Sequence, residues 1–255
     1  VTGYKGGMIS EEIAVYYPDG FSAEGTLPSL ALVEEPEVKS GLTGEWKGRV
    51  EFSEAFSKRM AYIEIEDGTD LYGCGEVAGK LARNGTAIKF WNTSNFGYSK
   101  DHGTRLYQSH PWVMGVREDG SAFGVLADST WKGELKLGEG ILFISEGPGF
   151  RVFVVEGDGP EDVMRGLGEL TGTMELPPLW SLGFQQSRFS YFPQERVKEI
   201  ADGFREHNMP CDVIWVDIDY MDDYRVFTFS PEDFPDPEGV NEYLHEEGIK
   251  SVWLI

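Results

Sequence analysis

The sequence predicts a multidomain protein of the β plus α/β class, with an antiparallel β-sandwich over residues 1–175 and an α/β segment over residues 176–255. Two observations favour this division. Before about residue 175, short alternating or β-branched segments recur between turn signals such as Asp119-Gly120, which is typical of a sandwich. After Pro177-Pro178, apolar runs alternate with helical patterns, which is typical of a parallel sheet with crossover helices.

Six segments of the first region have strand character. They are residues 13–17, 48–52, 60–65, 122–126, 141–144 and 150–155. A short helix is predicted from Pro160 to Leu170, because Pro suits a first helical turn and Gly172 lies just past the end.

Three segments interleave aromatic residues with Asn, Thr and Ser, and we expect them in loops. They are residues 71–76, 90–98 and 107–112. Flat rings and small polar groups are what a sugar-contacting surface needs. The alternative, which we favour for most of these aromatics, is that they cover the sandwich core or a seam between domains.

The second region has the pattern strand, helix, strand, helix, strand. The predicted strands are residues 179–185, 213–216 and 251–255, and the predicted helices begin at Pro193 and Pro237. A (β/α)8 barrel needs eight strands and about 250 residues. We therefore expect the start of a TIM barrel, namely its first three strands and two helices, in a chain that is truncated.

Carboxylates follow the apolar run Val213–Val216, where α/β barrels keep active-site groups. Asp217 and Asp219 are the candidates, and the alternative is that both acids are simply solvated. A metal site built from Asp217, Asp219, Asp222 and Asp223 is disfavoured, because the cluster lacks the pattern of a calcium loop.

Composition argues against several function classes. The chain has 44 acidic and 22 basic residues and a formal net charge of -22, so we expect neither nucleic acid nor membrane as a partner. Only Cys74 and Cys211 are present, without disulfide or zinc spacing, and we expect no cofactor and no metal. Without an apolar span or a visible export signal, we expect a soluble protein and favour the cytoplasm.

Several motifs, taken in order, resemble glycoside hydrolase family 31, the retaining α-glucosidases and their relatives. The matching pieces are Tyr72-Gly73-Cys74-Gly75-Glu76, Trp91-Asn92-Thr93, Phe96-Gly97-Tyr98, Tyr107-Gln108-Ser109-His110-Pro111, the run from Pro177 to Gln185, Asp217-Ile218-Asp219-Tyr220-Met221, Phe227-Thr228-Phe229 and Phe234-Pro235. The resemblance implies an N-terminal β-sandwich followed by a (β/α)8 barrel.

The resemblance also implies five substrate-binding positions. Asp217 matches the carboxylate that binds hydroxyls of the glucosyl unit in the −1 subsite, and Ile218 and Leu254 match apolar positions beside that ring. Phe189 matches an aromatic position near the +1 subsite. Ser94 stands where the family usually has an aspartate, so that contact loses its charge or passes to the neighbouring Asn95.

The implied activity is exo-hydrolysis of α-linked glucose from non-reducing ends, by two aspartates and without a cofactor. Those aspartates follow the fourth and sixth barrel strands in the family, so no catalytic residue is assigned in this chain, and we expect the chain alone to be inactive. The expected partners are an α-linked oligosaccharide or α-glucoside and the remainder of the barrel, in cis or in trans. The alternatives are α-xylosidase, transglucosylase or α-glucan lyase activity, or a non-catalytic carbohydrate-binding fragment.

Overall fold

A computed structural model describes residues 4–22, 32, 34–42, 50–95 and 105–255 of the chain. The chain divides into two compact units, Val1–Thr173 and Met174–Ile255. Two parts of the sequence predictions fall outside the described residues, namely residues 48–49 of one predicted strand and the motif Phe96-Gly97-Tyr98. Among the described residues, no helix has the length and apolar character needed to cross a lipid bilayer.

The described part of the first unit contains twelve strands in two antiparallel sheets. The strands are β1 (Tyr4–Met8), β2 (Ile13–Pro18), β3 (Ser40–Gly41), β4 (Val50–Ala55), β5 (Lys58–Glu64), β6 (Asp70–Val77), β7 (Thr86–Phe90), β8 (Arg105–Val116), β9 (Ala122–Ala127), β10 (Gly133–Leu137), β11 (Gly140–Ser145) and β12 (Val152–Gly157). One sheet has the order β3-β1-β2-β12-β9-β8-β6 and the other has the order β4-β5-β11-β10-β7.

Apolar side chains from both sheets form one core. Val125 and Val154 contribute from the first sheet, and Ile63, Leu135 and Phe143 contribute from the second. Two sheets that bury alternate residues against each other make a sandwich. The predicted antiparallel sandwich is therefore confirmed.

The helix α1 (Pro160–Thr171) covers the outer face of the seven-stranded sheet. Leu170 packs in a second cluster with Leu126 and Phe153, so all six residues of β9 are buried. A Cβ on Gly166 would lie 2.4 Å from Val155 Cγ1, so a glycine is needed where the helix approaches the sheet. The predicted helix and its Gly172 terminus are confirmed.

The second unit contains a parallel three-stranded sheet with two helices. Its elements are β13 (Gln185–Ser187), α2 (Gln194–Glu206), β14 (Val213–Val216), α3 (Pro237–Glu246) and β15 (Lys250–Trp253). The strands pair in parallel in the order β13-β14-β15. Val197 and Ala201 of α2 and Val240 and Leu244 of α3 are buried in a core with Ile214. The predicted alternation of strands and helices is confirmed.

Two local predictions are wrong. The sequence predicts a strand over residues 179–185, but Leu179–Leu182 form a 3-10 helix and the strand begins only at Gln185. The backbone N–H and the hydroxyl of Ser181 both donate to the carbonyl of Pro178, at 2.9 and 2.8 Å, and these two bonds close a turn.

The second wrong prediction places residues 71–76 and 107–112 in loops. They lie in β6 and β8, which pair with each other around register shifts at Gly75. The backbone φ is positive at Gly73, Cys74 and Gly75. Such irregular strands with bulges lack the alternating pattern that identifies a strand in a sequence.

Candidate functional site

Three of the predicted site residues follow the three parallel strands at the same level. Ser187, Trp215 and Val252 are register partners across the sheet. Phe189, Asp217 and Leu254 each lie two residues beyond one of these partners. Because parallel strands all run the same way, their carboxyl ends share one edge, where α/β proteins place their ligand-binding groups.

Asp217 caps a short 3-10 helix, Ile218–Tyr220. Its Oδ1 accepts a hydrogen bond of 2.8 Å from the backbone N–H of Ile218, which fixes the carboxylate at the start of the turn. The side chain is half-buried, and Oδ2 makes no hydrogen bond to another described residue. One carboxylate oxygen is therefore held by the protein, and the other is available to a ligand hydroxyl.

Backbone and side-chain hydrogen bonds place Leu254 next to the Asp217 turn. The N–H of Leu254 donates to the carbonyl of Val216, at 3.0 Å. The hydroxyl of Tyr220 donates to the carbonyl of Leu254, at 2.8 Å. Burial raises the pKa of Tyr220, which further favours the protonated hydroxyl that donates this bond. Asp217, Ile218 and Leu254 are thus brought together.

A cluster of aromatic rings packs around Tyr220 at this edge of the parallel sheet. The ring of Tyr220 meets those of Trp253, Phe229 and Phe234, with centroid separations of 4.9, 5.4 and 6.3 Å. The pairs with Trp253 and Phe234 are edge-to-face, and such pairs add stability beyond the area they bury. Sequence reasoning did not find this role of Tyr220, although the residue lies within the motif that contains Asp217.

Asp219 is engaged differently from Asp217. Its Oδ1 accepts a hydrogen bond of 2.9 Å from the hydroxyl of Tyr224, and this bond raises the pKa of Tyr224. Its Oδ2 is buried and has no hydrogen-bond partner among the described residues. The described residues contain no group of three or more His, Cys, Asp or Glu side chains arranged to hold a metal ion.

Phe189 extends from a well-anchored segment. Its side chain is 83% exposed, whereas the next two residues, Ser190 and Tyr191, are buried. Arg188 donates from Nε and Nη2 to the carbonyl of Ser190, both at 3.1 Å, and its guanidinium lies 4.9 Å from the ring centroid of Tyr191. An exposed ring on a fixed backbone can serve as a stacking surface.

Ser94 lies in the first unit, whereas the other four predicted site residues lie in the second. Its Oγ is 3.4 Å from the hydroxyl oxygen of Tyr107. The loop is tied to β8, because Thr93 N–H donates to the carbonyl of Leu106, at 2.9 Å. Tyr107 N–H in turn donates to Glu76 Oε2, also at 2.9 Å. The loop therefore presents Ser94 from an anchored position.

Two family models match the chain in sequence order. The model described as the glycosyl hydrolase 31 N-terminal galactose mutarotase-like domain matches residues 30–135. The model described as the glycosyl hydrolases family 31 TIM-barrel domain matches residues 174–255. These two ranges correspond to the antiparallel unit and to the parallel unit that begins a barrel.

Known relatives and solved structures agree with these models. The chain is 36% identical to alpha-glucosidase 2 of Bacillus thermoamyloliquefaciens over 222 residues, covering 86% of this chain and 27% of that protein. It is 32% identical to an alpha-glucosidase of Saccharolobus solfataricus, covering 76% of this chain and 29% of that protein. The crystal structure of a family 31 alpha-glucosidase from Bacteroides thetaiotaomicron matches with 56% identity and a TM-score of 0.71, covering 77% of this chain and 34% of that one.

A more distant structure supports the fold alone. A dextranase of Flavobacterium johnsoniae is 22% identical, with a TM-score of 0.81 over 99% of this chain and 38% of that one. The chain spans less than a third of the length of the two curated alpha-glucosidases named above. Both of its units match models of the same enzyme family. This chain belongs to glycosyl hydrolase family 31.

Proposed function

We propose that this chain is the substrate-binding N-terminal part of an α-glucosidase-type enzyme that releases α-linked glucose from non-reducing ends. In this proposal Asp217 binds hydroxyls of the terminal glucosyl unit. Ile218 and Leu254 flank that ring, Phe189 stacks on the adjoining unit, and Ser94 contributes a hydroxyl from the sandwich loop.

The observation that carries the proposal is the alignment of Phe189, Asp217 and Leu254 beyond three register-paired residues. A sugar presents hydroxyl groups around its edge and C–H groups on its faces. A carboxylate accepts hydroxyl hydrogen bonds more strongly than a neutral group does. Apolar and aromatic side chains on either side of it suit the C–H faces.

We propose that the catalytic carboxyls come from outside these 255 residues, in the remainder of the barrel, in cis or in trans. A retaining glycosidase needs two carboxyls about 5 Å apart that flank the scissile bond. Asp217 and Asp219 follow one strand two residues apart, and Asp219 Oδ1 already accepts the Tyr224 hydroxyl. These two acids do not suit the catalytic pair.

One relative favours a second candidate activity of the same family. The chain is 30% identical to a protein named alpha-xylosidase XylQ from Lactiplantibacillus pentosus, over 72% of this chain. An α-xyloside lacks the hydroxymethyl group of an α-glucoside. Comparing the dissociation constants of isoprimeverose and isomaltose would separate the two activities, and tighter binding of isoprimeverose would favour the xylosidase.

The test combines two measurements. First, the intact mass of the polypeptide made by its source shows whether the chain continues into the rest of the barrel. Second, the purified 255-residue chain is mixed with maltose, and both binding and glucose release are followed. We expect binding without glucose release. Glucose release by the chain alone would contradict an external catalytic pair, and absence of maltose binding would contradict the assigned substrate contacts.

A further inference from the structure

The first unit carries a cleft that the proposed site residues do not account for. Its volume is about 700 Å³, within the range of small-ligand pockets. Its lining residues are Phe90, Trp91, Asn92, Ser109, His110, Pro111, Trp112, Leu126, Ser129, Thr130, Trp131, Leu167 and Thr171. We propose that this cleft binds a neutral oligosaccharide through stacking on its tryptophan rings.

Trp131 is held as a preformed platform. Its side chain is 47% exposed, and its ring lies so close to Gly147 that a Cβ there would be 2.6 Å from Cγ and Cδ1. Ser145 Oγ accepts from Gly147 N–H at 3.1 Å and lies 3.1 Å from Ser129 Oγ. These bonds hold the bend after β11, against which the indole lies. A ring that is already ordered loses little conformational entropy when a ligand stacks on it.

A second glycine allows the floor of the cleft to form. A Cβ on Gly124 would lie 2.0 Å from Cη2 of Trp112, so the indole of Trp112 lies directly against the β9 backbone. Leu126, two residues further along β9, is buried beside it. Trp91 is 55% exposed and adds a second accessible ring. Two accessible indoles over an apolar floor suit the C–H faces of pyranose rings.

Three uncharged polar side chains of the cleft are open to a ligand. The side chains of Asn92, Ser109 and Thr130 make no hydrogen bond to another described residue, so their amide and hydroxyl groups are open to a ligand. None of the lining residues is Asp, Glu, Lys or Arg, although 26% of the chain is charged. A cationic ligand would find no carboxylate among these residues, and His110 is the one lining side chain that can be protonated. A neutral polyol would find both hydrogen-bond donors and acceptors.

The choice of an α-linked glucose oligosaccharide as the ligand rests on the proposed function. The inference that the cleft binds a neutral oligosaccharide rests only on its aromatic and uncharged polar lining. The experiment therefore uses maltotriose and reads each indole separately. The chain is labelled with ¹⁵N at its 7 tryptophans, and each indole N–H signal is assigned with a Trp→Phe variant. Trp180, which is 40% exposed in the second unit, is the reference indole.

We expect the signals of Trp91 and Trp131 to shift on titration with maltotriose, and to shift equally in Asp217→Asn. Trp131→Ala should weaken the response of Trp91 roughly tenfold, because one stacking ring is lost. Trp131→Phe should restore most of it, which separates stacking from folding. The dispersion of the remaining indole signals reports that each variant is folded.

Three results would overturn the inference. The first is that Trp91 and Trp131 remain unshifted at saturating maltotriose. The second is that Trp131→Ala leaves the Trp91 response unchanged. The third is a response that disappears in Asp217→Asn, because the shifts would then come from sugar bound at Asp217. If the Trp91 and Trp131 shifts persist in Asp217→Asn and the overall affinity for maltotriose is unchanged, the proposed role of Asp217 is contradicted. The inference that the cleft binds sugar is then still supported.

Discussion

The hydroxyl of Tyr220 donates a hydrogen bond of 2.8 Å to the backbone carbonyl of Leu254. It joins the turn after β14 to the end of β15, the two segments that carry Asp217 and Leu254. Tyr220→Phe removes this bond and keeps the ring packing. One such bond contributes about 1 kcal/mol, so we expect the amide of Leu254 to exchange hydrogen about fivefold faster, as measured by mass spectrometry of residues 250–255.

The matched control for this prediction is Tyr62→Phe. Tyr62 lies on β5 in the first unit and is 36% exposed. The Tyr62→Phe variant should leave amide hydrogen exchange at residues 250–255 unchanged. Equal exchange in wild type and Tyr220→Phe would mean that the hydroxyl bond does not hold the two strand ends together.

Asp217→Asn tests the proposed sugar contact with little change in shape. The amide oxygen of Asn can still accept from Ile218 N–H, so the turn is retained. The ligand-facing oxygen is then replaced by the amide NH2 group, which donates and cannot accept, so the charge-assisted bond is lost. Hydrogen bonds to charged groups are worth about 1.5–3 kcal/mol. We expect the dissociation constant for maltose to rise about tenfold or more, as measured by calorimetry.

The control variant is Asp67→Asn, which removes one negative charge from an exposed turn of the first unit. It should leave maltose affinity within error of wild type. If both variants weaken binding equally, the effect comes from net charge and the contact at Asp217 is refuted.

Gly75→Ala is expected to destabilise the first unit. Gly75 has a φ of 84°, and a Cβ there would lie 2.7 Å from both Gln108 O and His110 N. Backbone strain and the clash together should lower the free energy of unfolding by about 1–3 kcal/mol, as measured by urea unfolding. Gly138→Ala is the control, because a Cβ there meets nothing within 4 Å. Similar losses for both variants would contradict this account.

Glu35 should make stability depend on pH in the acid range. The hydrogen bonds from Arg151, together with its charge, lower the pKa of Glu35 below its ordinary value of 4.5, against an opposing effect of burial. A lowered pKa stabilises the fold above the unfolded value, and this contribution is lost as pH falls through the folded value. Glu35→Gln should therefore be less stable than wild type at pH 7.

The difference in unfolding free energy between wild type and Glu35→Gln should shrink as pH falls below 4.5, as measured by urea unfolding across that range. Glu37→Gln changes an exposed neighbour two residues away and should show no comparable convergence. A difference that stays constant with pH would mean that the Arg151 pair does not depend on the charge of Glu35.

Local signals account for what the sequence predicted correctly. Pro160 and Gly172 delimit α1, and the apolar run Val213–Val216 identifies β14, because these features depend on neighbouring residues alone. Placing Asp217 beyond a strand end needed only the position of that strand. The substrate roles of Asp217, Ile218, Leu254, Phe189 and Ser94 remain predictions.

Long-range pairing accounts for what the sequence did not reveal. The sequence did not identify strand β6, because the residues around Cys74 have positive φ and interrupt the alternation of buried and exposed side chains. The bond from Tyr220 to Leu254 joins residues 34 positions apart. Trp131 lies in none of the aromatic segments noted in the sequence, and it meets Trp91 in one cleft only because β10 pairs with β7.

The burial of both cysteines makes this chain easy to label at a chosen position. Burial raises the pKa of Cys74 to about 12 and also raises that of Cys211, and a protonated, enclosed thiol reacts slowly with electrophiles. A cysteine introduced at exposed Ser94 would then be the reactive thiol of the chain, without deletion of either natural one. A fluorophore attached there would test, in real time, whether sugar arrives beside Tyr107 as the proposed function predicts.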